Sequence, residues 1–255
     1  MIGVILAAGM GTRLRPLTDD IPKALLEINN ITLLERMIKN CIDADISKFI
    51  VVVGYYKSKV IDLCNRLSIK YNIEFSIVEN EEYEVTNTSV STYLASKIIA
   101  DNPEDFILIN GDNVVDKNII RNIACCNHTG MIIDNFKKLN EESFKVIIEN
   151  EKLNNDKTIA TGELSAIGKQ LDISSCQGEF IGVSKVISED IDEFNKILEN
   201  LIDEDPQNYY DFAYKELCKV KVIDFVLTNG LKWTEIDDYN DWEIAQKLVN
   251  EFEKD

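Results

Sequence analysis

Gly9, Gly11, Arg13, Arg15 and Lys23 crowd into one short stretch near the amino end. Glycine permits positive φ and lets backbone approach a ligand closely. Backbone N–H groups in such a turn converge on an anion. Arg13, Arg15 and Lys23 add positive charge to a chain whose formal net charge is −18. The chemistry these residues suit is the binding of an anion, with Arg13 and Lys23 at the surface of a cleft. The glycines do not follow GxGxxG, and no Gly-Lys-Ser/Thr closes a P-loop. Pro16 and Pro22 interrupt the segment before any helix, and Pro22 stiffens the chain ahead of Lys23. Taken alone, two glycines would equally mark a tight turn with solvated arginines. Two candidate carboxylates lie far away in sequence. Asp112 follows the apolar run Ile107-Leu108-Ile109 in Asn110-Gly111-Asp112-Asn113, which by itself also reads as a turn. Asp237 ends Trp233-Thr234-Glu235-Ile236-Asp237-Asp238. Asp238 reads as a helix-start residue. Glu235 and Asp241 read as solvated and are assigned no role.

The elements that must position these groups alternate. Ile2–Ala8, Lys48–Gly54, Ile73–Val78 and Phe106–Asn110 read as strands. Between them Leu34, Met37, Ile38, Cys41 and Ile42 recur at helical spacing, with Thr32 and Glu35 in a capping-box pattern. Val90, Tyr93, Leu94 and Ile98 define a second apolar helical face. Such alternation predicts parallel βαβ units covered on both faces, a Rossmann-like class in which ligands sit at the carboxyl ends of the strands. Beyond about residue 129 strands predominate: Met131–Ile133, Phe144–Ile148 and Glu179–Val186, with a polar hairpin tip at Asn150–Thr158. Ser188–Ile202 and Tyr209–Cys218 read as helices. Val220–Leu227 and Leu231–Ile236 read as strands, and Trp242, Ala245, Leu248, Val249 and Phe252 line one face of a last helix. The expected organisation is one unit, 1–255, in two halves, 1–128 and 129–255.

The string Leu6-Ala7-Ala8-Gly9-Met10-Gly11-Thr12-Arg13-Leu14-Arg15-Pro16-Leu17-Thr18, with Pro22-Lys23-Ala24-Leu25, resembles the signature L-A-A-G-x-G-S/T-R-L-x-P-L-T…P-K-x-L. That signature belongs to nucleotidyltransferases of the Rossmann-like GT-A type, and every position matches. The resemblance implies an α/β three-layer fold with a mixed, mostly parallel central sheet. It also implies that Leu6, Ala7, Ala8, Gly9, Gly11, Thr12 and Arg13 contact the nucleotide. Arg13 would lie on the β and γ phosphates, and Lys23 would neutralise charge at the reacting phosphates. Asp112 and Asp237 match the family's two metal-binding positions, which implies a Mg²⁺ held by two carboxylates beside phosphate oxygens.

Asn80, Tyr83, Asn87, Ser91, Tyr93 and Leu94 fit N-x-x-Y-x-x-x-N-x-x-x-S-x-Y-L, a pattern similar to that of bacterial phosphocholine cytidylyltransferases. Sugar-1-phosphate nucleotidyltransferases carry a Gly-Thr-Ala or Gly-Leu-Ala element there. The resemblance implies CTP, with Asn80, Asn87 and Ser91 at the nucleotide; Asn87 is equally suited to cap a helix. Ile167-Gly168-Lys169-Gln170-Leu171 resembles an element of inositol-1-phosphate cytidylyltransferases. Gly178-Glu179-Phe180-Ile181-Gly182 resembles one of cytidylyltransferases acting on small phosphonates. Lys169 would hold an acceptor phosphate, Glu179 a cationic or hydroxyl group, and Asp211, among Tyr209, Tyr210 and Phe212, a quaternary ammonium.

Composition narrows the partners. With 255 residues, 45% hydrophobic and 28% charged, the chain can bury an extensive core. Its acidity opposes unspecific binding to nucleic acid or anionic membranes. No apolar run reaches a membrane-spanning length. The first eight residues lack a basic region and read as a strand rather than a signal peptide. Six scattered cysteines without a CxxC pair suit reduced thiols in a cytoplasmic protein. Cys125, Cys126 and His128 offer too few ligands for zinc; the cysteines read as packing residues. A homo-oligomer is compatible with this composition. The expected activity is transfer of CMP from CTP to a small phosphorylated or phosphonate acceptor such as phosphocholine, with release of pyrophosphate. The alternatives are a sugar-1-phosphate nucleotidyltransferase using UTP, dTTP or GTP, and a non-catalytic nucleotide-sensing module of the same fold.

Overall fold

A computed structural model of the protein describes residues 1–253. In chain order the strands are β1 (Ile2–Ala7), β2 (Glu27–Ile28), β3 (Ile31–Thr32), β4 (Lys48–Val53), β5 (Glu74–Glu79), β6 (Phe106–Asn110) and β7 (Asn113–Val115). They continue as β8 (Thr129–Asp134), β9 (Lys145–Leu153), β10 (Ile159–Gly168), β11 (Gly178–Val186), β12 (Ile223–Leu227) and β13 (Trp233–Glu235). The helices are α1 (Leu33–Ile42), α2 (Lys57–Tyr71), α3 (Thr88–Ala100), α4 (Lys117–Ala124), α5 (Ile191–Glu204), α6 (Asp211–Leu217) and α7 (Tyr239–Phe252).

Nine strands form one sheet in the order β5-β4-β1-β6-β11-β8-β12-β10-β9. The parallel pairing is concentrated in the amino-terminal half, where β5, β4, β1 and β6 run together. Antiparallel pairing enters with β11, which lies between β6 and β8. It continues through β12, β10 and β9, and only β8 with β12 is parallel beyond β6. β9 also pairs with the first residues of β11. Two cores flank the sheet. Ile5 and Ala7 of β1 face the side covered by α1, α2, α4 and α7. Val4, Leu6 and Ala8 face the side covered by α3, α5 and α6. The three-layer α/β architecture follows from the βαβ alternation in the amino-terminal half.

Two helix details differ from expectation. Thr32 accepts from the Glu35 backbone N–H as half a capping box, but the Glu35 carboxylate turns to Lys70 and Tyr71 on α2. On α3 the apolar face predicted from Val90, Tyr93, Leu94 and Ile98 is not the buried one. Ser89, Ser91, Thr92, Ala95, Ser96 and Ile99 are buried, while Ile98 is exposed. Small side chains let α3 pack closely on the sheet, and close packing outweighs the burial of larger apolar groups at its edge.

Candidate functional site

The carboxyl ends of β1 and β6 and the start of α3 frame one side of a cleft of about 320 Å³. Leu6, Ala8, Gly9 and Arg13 line it from the glycine loop, and Asn80, Asn87 and Ser91 from the segment between β5 and α3. Lys169, Glu179, Asp211, Asp112 and Asp237 complete the lining. Twelve of the sequence-predicted residues thus meet in one crevice, as expected at the carboxyl ends of parallel strands.

Three predicted nucleotide contacts lie elsewhere. Strand alternation turns Ala7 away from Leu6 and Ala8; it lines a smaller depression with Lys23, Gly111 and Asp112. Gly11 has φ 62, begins a single turn of 3-10 helix, and its carbonyl accepts from the Thr18 hydroxyl at 2.7 Å. Thr12 is exposed within that turn and does not line the cleft.

β13 explains how the distant carboxylates meet. It pairs antiparallel with β7, placing Glu235 opposite Asn113, and the Ile236 N–H donates to the Asp112 carbonyl at 3.1 Å. One oxygen each of Asp112, Glu235 and Asp237 lies within 4.8 Å of the others. Gly111, just before Asp112, lets the chain pass close against β1, because a Cβ there would meet the Leu6 carbonyl oxygen at 2.2 Å. Asp238 caps α7, while the Asp241 carboxylate accepts from the Asp237 N–H at 2.9 Å and fixes the backbone of that strand end. Sequence reasoning assigned neither Glu235 nor Asp241 a role. Their signal was present only in three acids closely flanking Asp237.

Lys23 enters from the opposite side. Its Nζ donates to Asp112 at 2.7 Å and to Asp237 at 2.8 Å, and the side chain is 13% exposed. The expectation of a cleft-surface lysine is therefore corrected: the ammonium is enclosed by its partners. Arg13 does stand at the surface, 60% exposed, 2.8 Å from Asp237. Burial opposes charge on Lys23, but the two aspartates hold its pKa above the ordinary lysine value. Burial works to raise Asp237, yet Lys23 and Arg13 hold its carboxyl below the usual range. Burial, with Asp112 and Asp237 close by, pushes Glu235 up to about 8. Asp112 Oδ1 is buried without a protein partner. Three converging carboxylates, one carrying an unpartnered buried oxygen, fit a hard divalent cation.

Lys169 donates to Glu142 at 2.9 Å, and Glu142 itself lines the cleft. Burial raises the pKa of Glu179 above the ordinary glutamate value. Burial likewise pushes Asp211, the first residue of α6, up to about 7, and its Oδ1 has no partner. Phe144 and Tyr209 pack edge-to-face with ring centroids 5.6 Å apart and line the cleft with Phe180. Elsewhere, His128 Nδ1 sits 3.2 Å from Asp224; Cys126 is buried but Cys125 is exposed, against the expectation that both pack. Among the described residues no helix is long and apolar enough to cross a membrane.

The sequence model of the nucleotidyl transferase family matches residues 2–156. The chain belongs to that family. A choline-phosphate cytidylyltransferase of Streptococcus pneumoniae is 37% identical to this nucleotidyl transferase over 122 residues, 48% of this chain and 49% of that protein. A bifunctional IPC transferase and DIPP synthase of Aquifex aeolicus is 28% identical over 248 residues, 96% of this chain and 51% of that protein. The chain thus spans about half the length of these curated relatives. The fold is shared with a solved CTP:phosphocholine cytidylyltransferase from Streptococcus pneumoniae, with a TM-score of 0.73 at 22% identity, covering 97% of this chain and 99% of the other. It is also shared with an inositol-1-phosphate CTP transferase from T. maritima, with a TM-score of 0.76 at 20% identity, covering 98% and 95%.

Proposed function

We propose that this nucleotidyl transferase moves CMP from CTP to a small phosphorylated acceptor of the phosphocholine type and releases pyrophosphate. The observation that carries the reading is the single cleft in which the Gly9–Arg13 loop, the Lys23-bridged carboxylates, Lys169 and Asp211 converge. The choline-phosphate cytidylyltransferase among its relatives, and the solved CTP:phosphocholine and inositol-1-phosphate CTP transferases that share its fold, support cytidylyl transfer.

In this reading an acceptor phosphate oxygen attacks the α-phosphorus. A new P–O bond forms there, and the bond from the α-phosphorus to the bridging oxygen breaks, so that pyrophosphate leaves with that electron pair. The acceptor is already an anion at neutral pH, so no protein nucleophile or base is required. Arg13 and Lys23 offset the charge that develops, and the cleft holds both reactants in line. Mg²⁺ would be held by Asp112 and Asp237 with Glu235 beside them, and would supply charge neutralisation at the phosphates. Lys169 would bind the acceptor phosphate once released from Glu142. Asp211 and the aromatic pair Phe144 and Tyr209 suit a cationic group, the unpartnered Asp211 oxygen being the feature that favours a cation over a neutral sugar.

The test is pyrophosphate release with Mg²⁺ from CTP, UTP, dTTP, GTP and ATP, each against phosphocholine, an inositol phosphate and glucose 1-phosphate. CTP with phosphocholine should give the highest rate. A UTP, dTTP or GTP preference with the sugar phosphate would replace this reading with a sugar-phosphate transferase. Nucleotide binding without pyrophosphate release under any pairing would favour a sensing module.

A further inference from the structure

Asn80 is buried at the end of β5, and its side chain makes every hydrogen bond its amide group needs within the protein. Its Oδ1 accepts from the Glu82 backbone N–H at 3.0 Å. A backbone N–H can only donate, so this contact fixes which end of the amide is oxygen. Nδ2 must then face the other way, where it lies 3.0 Å from Thr86 Oγ1 and 3.1 Å from Ser91 Oγ. The Thr86 hydroxyl spends its proton on the Glu82 carbonyl at 2.8 Å, so it too accepts from Asn80. Both amide protons are therefore committed, and none remains to read a base. Ser91 is different. Its oxygen accepts from Asn80, its own proton has no protein acceptor among the described residues, and it lines the cleft.

We propose that Asn80 is a positioning residue that locks the Ser91 hydroxyl as a hydrogen-bond donor toward the base, and that this polarity selects cytosine over uracil. The inference rests on the CTP reading of the site. Cytosine presents its ring N3 as an acceptor, and uracil presents an N3–H donor at the same position. A hydroxyl locked as donor satisfies cytosine N3 and opposes the uracil proton. Ser91 could accept from uracil with its second lone pair only by turning its proton away from the ligand, where no acceptor waits. Sites built around a committed hydrogen-bond polarity reject the mismatched analogue because buried groups are left unpaired. Asn80 thus acts through Ser91, in place of the direct nucleotide contact expected from sequence.

The experiment is calorimetric titration of wild type, Ser91→Ala and Asn80→Asp with CTP and with UTP in Mg²⁺. In wild type CTP should bind more tightly. Ser91→Ala should reduce the CTP-to-UTP affinity ratio by about tenfold, through weaker CTP binding. Asn80→Asp keeps an oxygen for the Glu82 N–H but now draws the Ser91 proton to itself. Ser91 then faces the cleft as an acceptor, and the preference should invert toward UTP. A purely structural role for Asn80 would weaken both nucleotides together and leave the ratio unchanged. If wild type prefers CTP and the ratio survives in Ser91→Ala, the polarity proposal is overturned while the CTP reading stands. If wild type does not prefer CTP, both fall. Should Asn80→Asp not fold, the Ser91→Ala ratio decides alone.

Discussion

Lys23→Met separates a lysine that serves only the reacting phosphates from one that also holds the site together. The substitution keeps most of the stem and removes a charge that bridges Asp112 at 2.7 Å and Asp237 at 2.8 Å. Removing one partner of a fully buried ion pair costs about 3–5 kcal/mol. Here the two aspartate side chains are 21% and 25% exposed and Arg13 stays on Asp237, so water and a second cation soften the loss. A reasonable magnitude is about 2 kcal/mol, which for a chain of this size lowers the melting temperature by about 4–8 °C. Arg13→Gln removes a group that is 60% exposed; such a surface pair is worth about 0–1 kcal/mol, so its melting point should move little. Turnover should fall by about 10²–10³ in Lys23→Met, measured as pyrophosphate release at saturating CTP and acceptor. Mg²⁺ should restore part of the lost melting temperature, because three carboxylates are left facing one another. Calorimetry showing Lys23→Met melting with the wild type, with or without Mg²⁺, and normal turnover, would refute the bridging role.

Asp112→Asn and Asp237→Asn should each lower turnover by orders of magnitude with the fold intact by circular dichroism; near-normal turnover in Asp237→Asn would transfer the second metal position to Glu235. Glu235→Gln should weaken Mg²⁺ dependence while CTP still binds, read from the Mg²⁺ concentration at half-maximal rate. Asp211, with its folded pKa near 7 against an ordinary value of 3.8, binds a proton more tightly in the folded state. Its contribution to stability is therefore full at low pH and is lost as pH rises from about 4 to about 7, with a limiting slope of roughly 1.4 kcal/mol per pH unit. Asp211→Asn should flatten that dependence in denaturant titrations at pH 5 and pH 8; an unchanged profile would place the titration elsewhere. Lys169→Ala should raise the acceptor KM with little change in CTP affinity, and an effect on CTP alone would remove it from the acceptor end.

The amino-acid sequence by itself determined the local parts of this protein. The apolar runs of β1, β4, β5 and β6 and the helical spacing of α1 mark an α/β alternation, because strand and helix periods are properties of neighbouring residues. Gly9, Arg13 and Lys23 stand out for the same reason, since they share one contiguous string, whereas Asp112 alone also reads as a turn residue and is singled out only by the family resemblance. Tertiary structure decided what depended on residues far apart. Lys23 reaches Asp112 across 89 positions and Asp237 across 214, so nothing near Lys23 reveals that it is enclosed. Glu235 reads as one more acid in an acidic chain until β13 pairs with β7 and brings it against Asp112. The face of α3 that turns inward was set by how closely its serines, threonine and alanine let it approach the sheet, a matter of volume between elements that a hydrophobic pattern does not contain. Asn80 looked like a ligand contact because amides suit bases; only the positions of Glu82, Thr86 and Ser91 around it show that its hydrogen-bonding capacity is already used.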